Sequence, residues 1–469
     1  MDNSLIETLE KMNKSKIPMH MPGHKRNTLL APYLKSLCAQ CDITEISGAD
    51  NLHDASGILL DSMKKASNLW HSDHSFYLIN GSTCGILASI YACISSGDRV
   101  ICARNCHKSV YNALELAQAK TVFIMPEADP ITGGYGCINP KDIEKAIANF
   151  PDTKLIIITS PTYEGIVSDI KKVCYTAHEF QIPVMVDEAH GAHLGFGYGF
   201  PDGAVKSNAD IVVQSLHKTL PSLTQTALLH INGNLVSAKS IAQSLAIFET
   251  SSPSYLLMAS IDGCINLLCA QKDELFINWR KGIDLFIQKT KNLKKLKVLS
   301  NQEKQFFDFD TSKLVICTWQ TKLTGNDLME MLRQYGFECE MASLKYVIAM
   351  TGMGDTQEKL SLFADALLSI DEKCDVARAT GFNIYPKLPE QMVLAYTAKR
   401  KASEAISISL SAGRICGEYV WAYPPGIPLV IPGEKITDEI IDTFKVYKKS
   451  GITLNDTEKL MPDKILVNK

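Results

Sequence analysis

Lys218, Asp187 and the run Gly81-Ser82-Thr83 are the residues whose types and order could do chemistry together. A lysine amine forms a Schiff base with a carbonyl. A carboxylate holds the proton of a pyridinium nitrogen. A glycine with small hydroxyl residues at a helix start cradles a phosphate. Pyridoxal phosphate asks for all three, and Asp187 stands 31 positions before Lys218. Taken singly, each has a plainer reading: Asp187 as a helix cap, Lys218 as a surface lysine, and the glycine run as an ordinary turn and N-cap.

For these groups to meet, each must follow a strand of one sheet, because an open α/β sheet gathers ligands at the carboxyl ends of its strands. The apolar run 76–79 precedes Gly81. The run 184–186 precedes Asp187-Glu188-Ala189-His190, and 211–213 precedes Gln214-Ser215-Leu216-His217-Lys218. The unbroken apolar run 155–158 has the character of a strand buried on both faces. With a strand over 99–102 and helices expected to about 94, over 107–119 and over 170–180, this is βαβ alternation. It predicts an α/β fold with a mostly parallel sheet and helices on both faces.

Beyond about residue 300 the pattern becomes strand 314–318, helix 326–334, strands 337–341 and 346–350, and helix 356–369, which reads as a smaller α+β domain. The expected division is an N-terminal arm over 1–60, a large domain over 61–300, and a C-terminal α+β domain with its tail over 301–469. The arm should hold a short polar helix over 2–16 and irregular chain after it. Residues 384–434 should be ordered loops with a helix, and the tail beyond about 455 a short helix or frayed.

Lys and Arg number 48 against 51 Asp and Glu among 469 residues, a formal charge of −3, without the basic excess of a general nucleic-acid binder. No apolar run nears the ~18 residues of a membrane helix. The polar N-terminus lacks the apolar core of a signal peptide, so a soluble cytoplasmic protein is expected. Fourteen scattered cysteines then read as reduced thiols. Cys38/Cys41, Cys102/Cys106/His107, His71/His74 and His190/His193 each lack further ligands at zinc spacing, and no metal is expected.

Longer motifs surround the chemical residues: Pro18-Met19-His20-Met21-Pro22-Gly23-His24-Lys25, Arg104-Asn105-Cys106-His107-Lys108-Ser109, Asp187-Glu188-Ala189-His190-Gly191, Ser215-Leu216-His217-Lys218-Thr219, Ser252-Pro253-Ser254-Tyr255 and Tyr423-Pro424-Pro425-Gly426-Ile427-Pro428. Through them the chain resembles the Orn/Lys/Arg decarboxylase family, whose large domain has the aspartate-aminotransferase-type pyridoxal phosphate fold. It looks like the short bacterial form, with no receiver-like wing ahead of the Pro-Gly-His motif. The resemblance implies that Lys218 carries the Schiff base, Asp187 pairs with the ring nitrogen, His107 stacks on one ring face and Ala189 packs on the other. It puts His190 near the phenolic oxygen, where other members carry tryptophan. Gly81, Ser82, Thr83, Ser215 and His217 would face the phosphate. Thr250 would reach the phosphate of a neighbouring subunit, which implies a homodimer or larger homo-oligomer.

The implied reaction is decarboxylation of a basic amino acid, arginine ahead of lysine and ornithine, to agmatine, cadaverine or putrescine for polyamine synthesis. The Cα–carboxylate bond must stand perpendicular to the ring, apolar surroundings favour loss of charge as carbon dioxide leaves, and Lys218 or His217 returns a proton to Cα. On the cofactor alone, an aminotransferase or carbon–sulfur lyase is the alternative, and a catalytically silent homologue a third reading. The Asn-Cys-His-Lys-Ser block and the His217-Lys218 pair favour the decarboxylase. Residues 42–54 hold four carboxylates and no lysine or arginine. Glu45 and Asp50 are therefore expected to attract a cationic substrate, with Glu418 or Glu434 as the C-terminal alternatives. Arg414 is expected either to tie the C-terminal domain down or to bind a carboxylate.

Overall fold

The computed structural model describes residues 4–15, 41–301, 305–318, 320–377, 386–422 and 426–469. The motif over 18–25, with His24, lies outside the described residues, as do Cys38 and Tyr423-Pro424-Pro425.

Seven strands form the large sheet, in the order His74–Leu78, Ala227–Ile231, Ile211–Ser215, Val184–Asp187, Thr153–Thr159, Arg99–Ala103 and Lys120–Ile124. Ala227–Ile231 is antiparallel to both its neighbours, and the other four pairings are parallel. Val184–Asp187 and Ile211–Ser215 are buried at every position. That is the signature of strands covered on both faces. The helices Gly81–Cys93, Lys108–Leu116, Pro140–Asn149 and Ile170–His178 connect the strands.

Two strands were not apparent in the sequence pattern. Lys120–Ile124 is an edge strand, only partly buried. Ala227–Ile231 includes a histidine, yet His230 is fully buried, with Nδ1 at 2.8 Å from Ser75 Oγ and Nε2 at 3.2 Å from Gln214 Oε1. Satisfied ring nitrogens let a polar residue sit in a core strand.

A 36-residue helix, Tyr255–Thr290, runs on from the large sheet, and the Ser254 hydroxyl caps it by accepting from Leu257 N–H. The N-terminal helix Leu5–Ser15 packs on it. That helix is polar on one side only: Leu5 and Leu9 are fully buried, and Leu5 N–H donates to the buried Asp262 carboxylate at 3.0 Å.

A second, antiparallel sheet follows in the order Met341–Ala342, Tyr346–Met350, Lys313–Cys317 and Lys297–Val298, with helices Gly325–Gln334 and Gln357–Lys373. The strand expected over 337–341 shrinks to Met341–Ala342. Gly336, at φ 84°, turns the chain out of the helix, and Glu338 is held in the turn by Arg333.

The C-terminal segment carries Val420–Ala422 between Ile427–Val430 and Leu454–Asp456, and a pair formed by Ser403–Ser407 and Lys464–Asn468. The tail is therefore neither helical nor frayed. Ile465 and Val467 alternate into the core, and Arg414 Nη2 donates to Glu404 at 2.8 Å and to the Asn468 carbonyl at 3.1 Å. Arg414 thus ties the C-terminal segment down. Among the described residues, no helix is long and apolar enough to cross a membrane, and no three His, Cys, Asp or Glu side chains converge as metal ligands.

One ion pair joins the C-terminal segment to the large sheet. Arg104 Nη2 lies 2.9 Å from Glu434 Oε2, with both side chains essentially out of water, and the Arg104 guanidinium lies over the Phe123 ring. Glu434 also accepts from Ile431 N–H at 2.9 Å. Removing one partner of a buried pair strands the other charge. Glu434→Ala is expected to lower unfolding stability by about 3–5 kcal/mol, seen as a lower urea midpoint at unchanged m value. An unchanged midpoint would show that the pair is replaceable by solvent.

Candidate active site

A cavity of about 420 Å³ opens at the carboxyl ends of the parallel strands. Asp187 is the last residue of its strand. Its side chain is buried, and Oδ1 accepts from Ala189 N–H at 3.2 Å. Burial raises its pKa while the Lys218 charge opposes that. The next residue, Glu188, turns the other way, accepting from Ala204 N–H at 2.8 Å and Gln214 Nε2 at 2.7 Å; burial pushes its carboxyl up to about 8. A side chain at Gly191 would collide with Glu188, Leu194 and Pro161 at 2.7–2.8 Å, so only glycine permits the tight turn that aims Ala189 and His190 at the cavity.

Lys218 sits on a one-turn helix, Leu216–Thr219, directly after the Ile211–Ser215 strand. Its Nζ lies 2.9 Å from His190 Nε2. Burial lowers the Lys218 pKa, Asp187 and Glu340 pull it back, and Lys313 adds to the lowering. Burial and the nearby lysines keep His190 neutral, so its Nε2 accepts from the lysine. His190 is thus a lysine partner as well as a cavity wall. Lys313, fully buried, donates to the His190 carbonyl at 3.2 Å and holds this loop in place.

His107 is both a cap and a cavity residue. It starts the helix Lys108–Leu116, with Nδ1 accepting from Ser109 Oγ at 2.8 Å and from Ser109 N–H. Burial, then Lys218 and Lys108, push its pKa down to about 4, so the ring is neutral near pH 7. His217 donates from Nδ1 to the Thr226 carbonyl at 2.9 Å, and burial lowers its pKa. Ser82, Asn105, Thr159, Tyr163, Glu164 and Glu340 also border the cavity.

Sequence reasoning did not single out Thr159, Tyr163, Glu164 or Glu340. The first three follow the strand Thr153–Thr159 and obey the same strand-end rule that located Asp187. Glu340 comes from the second sheet's connection, which no local pattern places here. Thr83 is exposed, and Ser215, though buried, does not border the cavity. Thr250 lies outside this chain's cavity, at an exposed turn where its carbonyl accepts from His53 Nε2 at 3.0 Å.

The substrate-charge expectations change. Neither Glu45 nor Asp50 borders the cavity. The Asp50 carboxylate instead accepts from Asn51, Ser56, Gly57 and Leu59 N–H at 2.9–3.0 Å. Burial alone would raise its pKa, but these four donors outweigh it and lower it. Asp50→Ala is expected to cost about 1–3 kcal/mol of stability while leaving kcat/KM and its salt dependence unchanged. A kinetic defect without a stability loss would restore the steering role. Glu434 is held by Arg104, and Glu418 accepts from Glu458 and Leu466 N–H.

The cavity suits pyridoxal phosphate on its own chemistry. Buried His190 Nδ1, Asn105 Oδ1 and Thr159 Oγ1, all on cavity-lining residues, have no hydrogen-bond partner among the described residues. No side chain caps Gly81–Cys93, so its first N–H groups remain available to an anion.

Residues 4–359 match the Orn/Lys/Arg decarboxylase major domain, and residues 381–454 match the Orn/Lys/Arg decarboxylase C-terminal domain. An arginine decarboxylase of Halalkalibacterium halodurans is 31% identical, covering 94% of this chain and 92% of its own. An arginine decarboxylase of Bacillus subtilis is likewise 31% identical, covering 95% of this chain and 93% of its own. The lysine decarboxylase LdcF of Francisella novicida shares the fold at TM-score 0.82 and 19% identity, covering 99% of this chain and 81% of that one. With its motifs at the strand ends and matches spanning nearly its whole length, the chain belongs to the Orn/Lys/Arg decarboxylase family.

Proposed function

We propose that the chain decarboxylates arginine in preference to lysine or ornithine, with pyridoxal phosphate bound in the cavity. One observation carries the reading: Lys218, Asp187, His107 and His190 converge there, on three different strand ends. The arginine preference rests on the names of relatives aligned over nearly the full length. Lys218 would hold the cofactor aldehyde, Asp187 would hold a proton on the ring nitrogen, and His107 and Ala189 would flank the ring. Ser82 and His217 would face the phosphate, with the N–H groups that begin at Gly81 beside them and Thr250 supplied from the neighbouring subunit of a homodimer. In domain terms, an arm over 1–60 and a large domain over 61–300 build the site, and 301–469 closes it.

Bound pyridoxal phosphate supplies an electron sink for the pair left on Cα when carbon dioxide departs. The residues divide the remaining work. Asp187, shielded from water, keeps its charge directed at the ring nitrogen rather than at solvent. Neutral His107 and Ala189 present uncharged surfaces, which favour loss of the carboxylate charge. The proton returned to Cα comes from Lys218 rather than His217. His217 is neutral and spends its one N–H on Thr226, whereas Lys218, as a free ammonium, has protons to give and a lowered pKa.

The test is to incubate the holoenzyme with arginine, lysine and ornithine separately and identify the amine formed. Agmatine formed fastest is the expected result. Preferential cadaverine or putrescine would reverse the substrate order, and a keto acid would mark an aminotransferase.

A further inference from the structure

We infer that Glu340 is the residue that binds the cationic end of the substrate, an inference that rests on the decarboxylase reading above. A basic amino acid brings a positive side chain into a cavity that already contains Lys218, so it needs a carboxylate there. Three acidic residues border the cavity: Asp187, Glu164 and Glu340. Asp187 is buried and, on that reading, would be spent on the cofactor's ring nitrogen. Glu164 is buried too, its Oε1 accepts from Tyr346 OH at 2.7 Å, and burial raises its pKa, so it is poorly placed to meet a cation. Glu340 differs from both. It is exposed at the cavity mouth, its Oε1 accepts from Tyr163 OH at 2.6 Å, and it forms no salt bridge among the described residues.

A line of contacts measures its place relative to the reacting centre. Lys218 Nζ meets His190 Nε2 at 2.9 Å, the His190 ring lies 4.5 Å from the Tyr163 ring, and Tyr163 OH reaches Glu340. Glu340 therefore stands two rings out from the lysine, where an extended methylene stem would deliver its charge. Tyr163 fixes one carboxylate oxygen and leaves the other to an N–H of the incoming group. A planar guanidinium suits this arrangement because it offers parallel N–H donors. Glu340 comes from the second sheet and Tyr163 from the large one, so the pair also spans the seam between them.

The test uses the holoenzyme and Glu340→Gln, which keeps size and removes charge. Arginine is compared with citrulline, its neutral analogue, and agmatine binding is measured by calorimetry. Expected are a fall of about 10- to 100-fold in kcat/KM for arginine, mostly through KM, and a matching loss of agmatine affinity. Citrulline turnover and cofactor absorbance should stay within about twofold of the parent. Glu340→Asp should recover part of the arginine loss, and Tyr163→Phe should give a smaller loss of the same kind. Arginine KM and agmatine affinity unchanged in Glu340→Gln would overturn the inference while leaving the decarboxylase reading intact. A parallel fall for arginine and citrulline would also overturn it, because it would mark a structural role. A parent enzyme that forms no amine from arginine, lysine or ornithine would overturn both.

Discussion

Lys218→Ala is expected to lower kcat by at least about 10³-fold, because in the proposed mechanism one residue supplies both the covalent hold on the cofactor and the proton for Cα. The fold should survive. Among the described residues the Lys218 side chain has one hydrogen bond, to His190 Nε2, and the helix that carries it is a single turn after a fully buried strand. Two measurements separate the roles. Borohydride reduction should fix the cofactor to the parent and fail in the variant, while cofactor can still be held non-covalently by the phosphate-facing groups. The thermal midpoint of the cofactor-free variant should stay near that of the cofactor-free parent. Full decarboxylation by Lys218→Ala would remove the lysine from both roles at once.

Asp187→Asn carries the second largest expected effect, a loss of about 10²- to 10³-fold in kcat with a much smaller change in KM. The amide keeps the shape of the carboxylate and can still accept from Ala189 N–H, so the strand end should stay as it is. What disappears is the buried negative charge, and with it the means to keep a proton on the ring nitrogen. A shifted cofactor absorbance with little loss of binding should accompany the drop. If kcat stays at the parent value and only KM rises, Asp187 positions the cofactor without tuning it.

Much of this site was legible from strand ends. Continuous apolar runs stop abruptly before Asp187 and before Ser215-Leu216-His217-Lys218, and burial on both faces forces a polar residue there to point out of the sheet edge. The same rule applied to Thr153–Thr159 would have found Thr159 and Tyr163. Other parts had no local mark. Tyr255–Thr290 mixes its polar and apolar residues around the helix because it meets different neighbours along its length, so its amphipathic period is blurred. Ala227–Ile231 hides a histidine whose partners lie on other strands. Glu340 reaches the cavity only through the packing of one sheet against another. The acidic run near Asp50 shows the converse error. Its charge suggested an external role, and backbone donors use it instead.

The Arg104–Glu434 pair bears on the order of events during synthesis. Its partners are 330 positions apart, and Arg104 stands three residues before His107. A ribosome adding about 5–20 residues per second takes on the order of half a minute between them. Throughout that interval the guanidinium at the strand end that presents His107 lacks its carboxylate. The strand end that presents His107 is thus finished by a segment made much later, and a nascent chain halted before Glu434 should emerge with its sheet formed and that strand end loose.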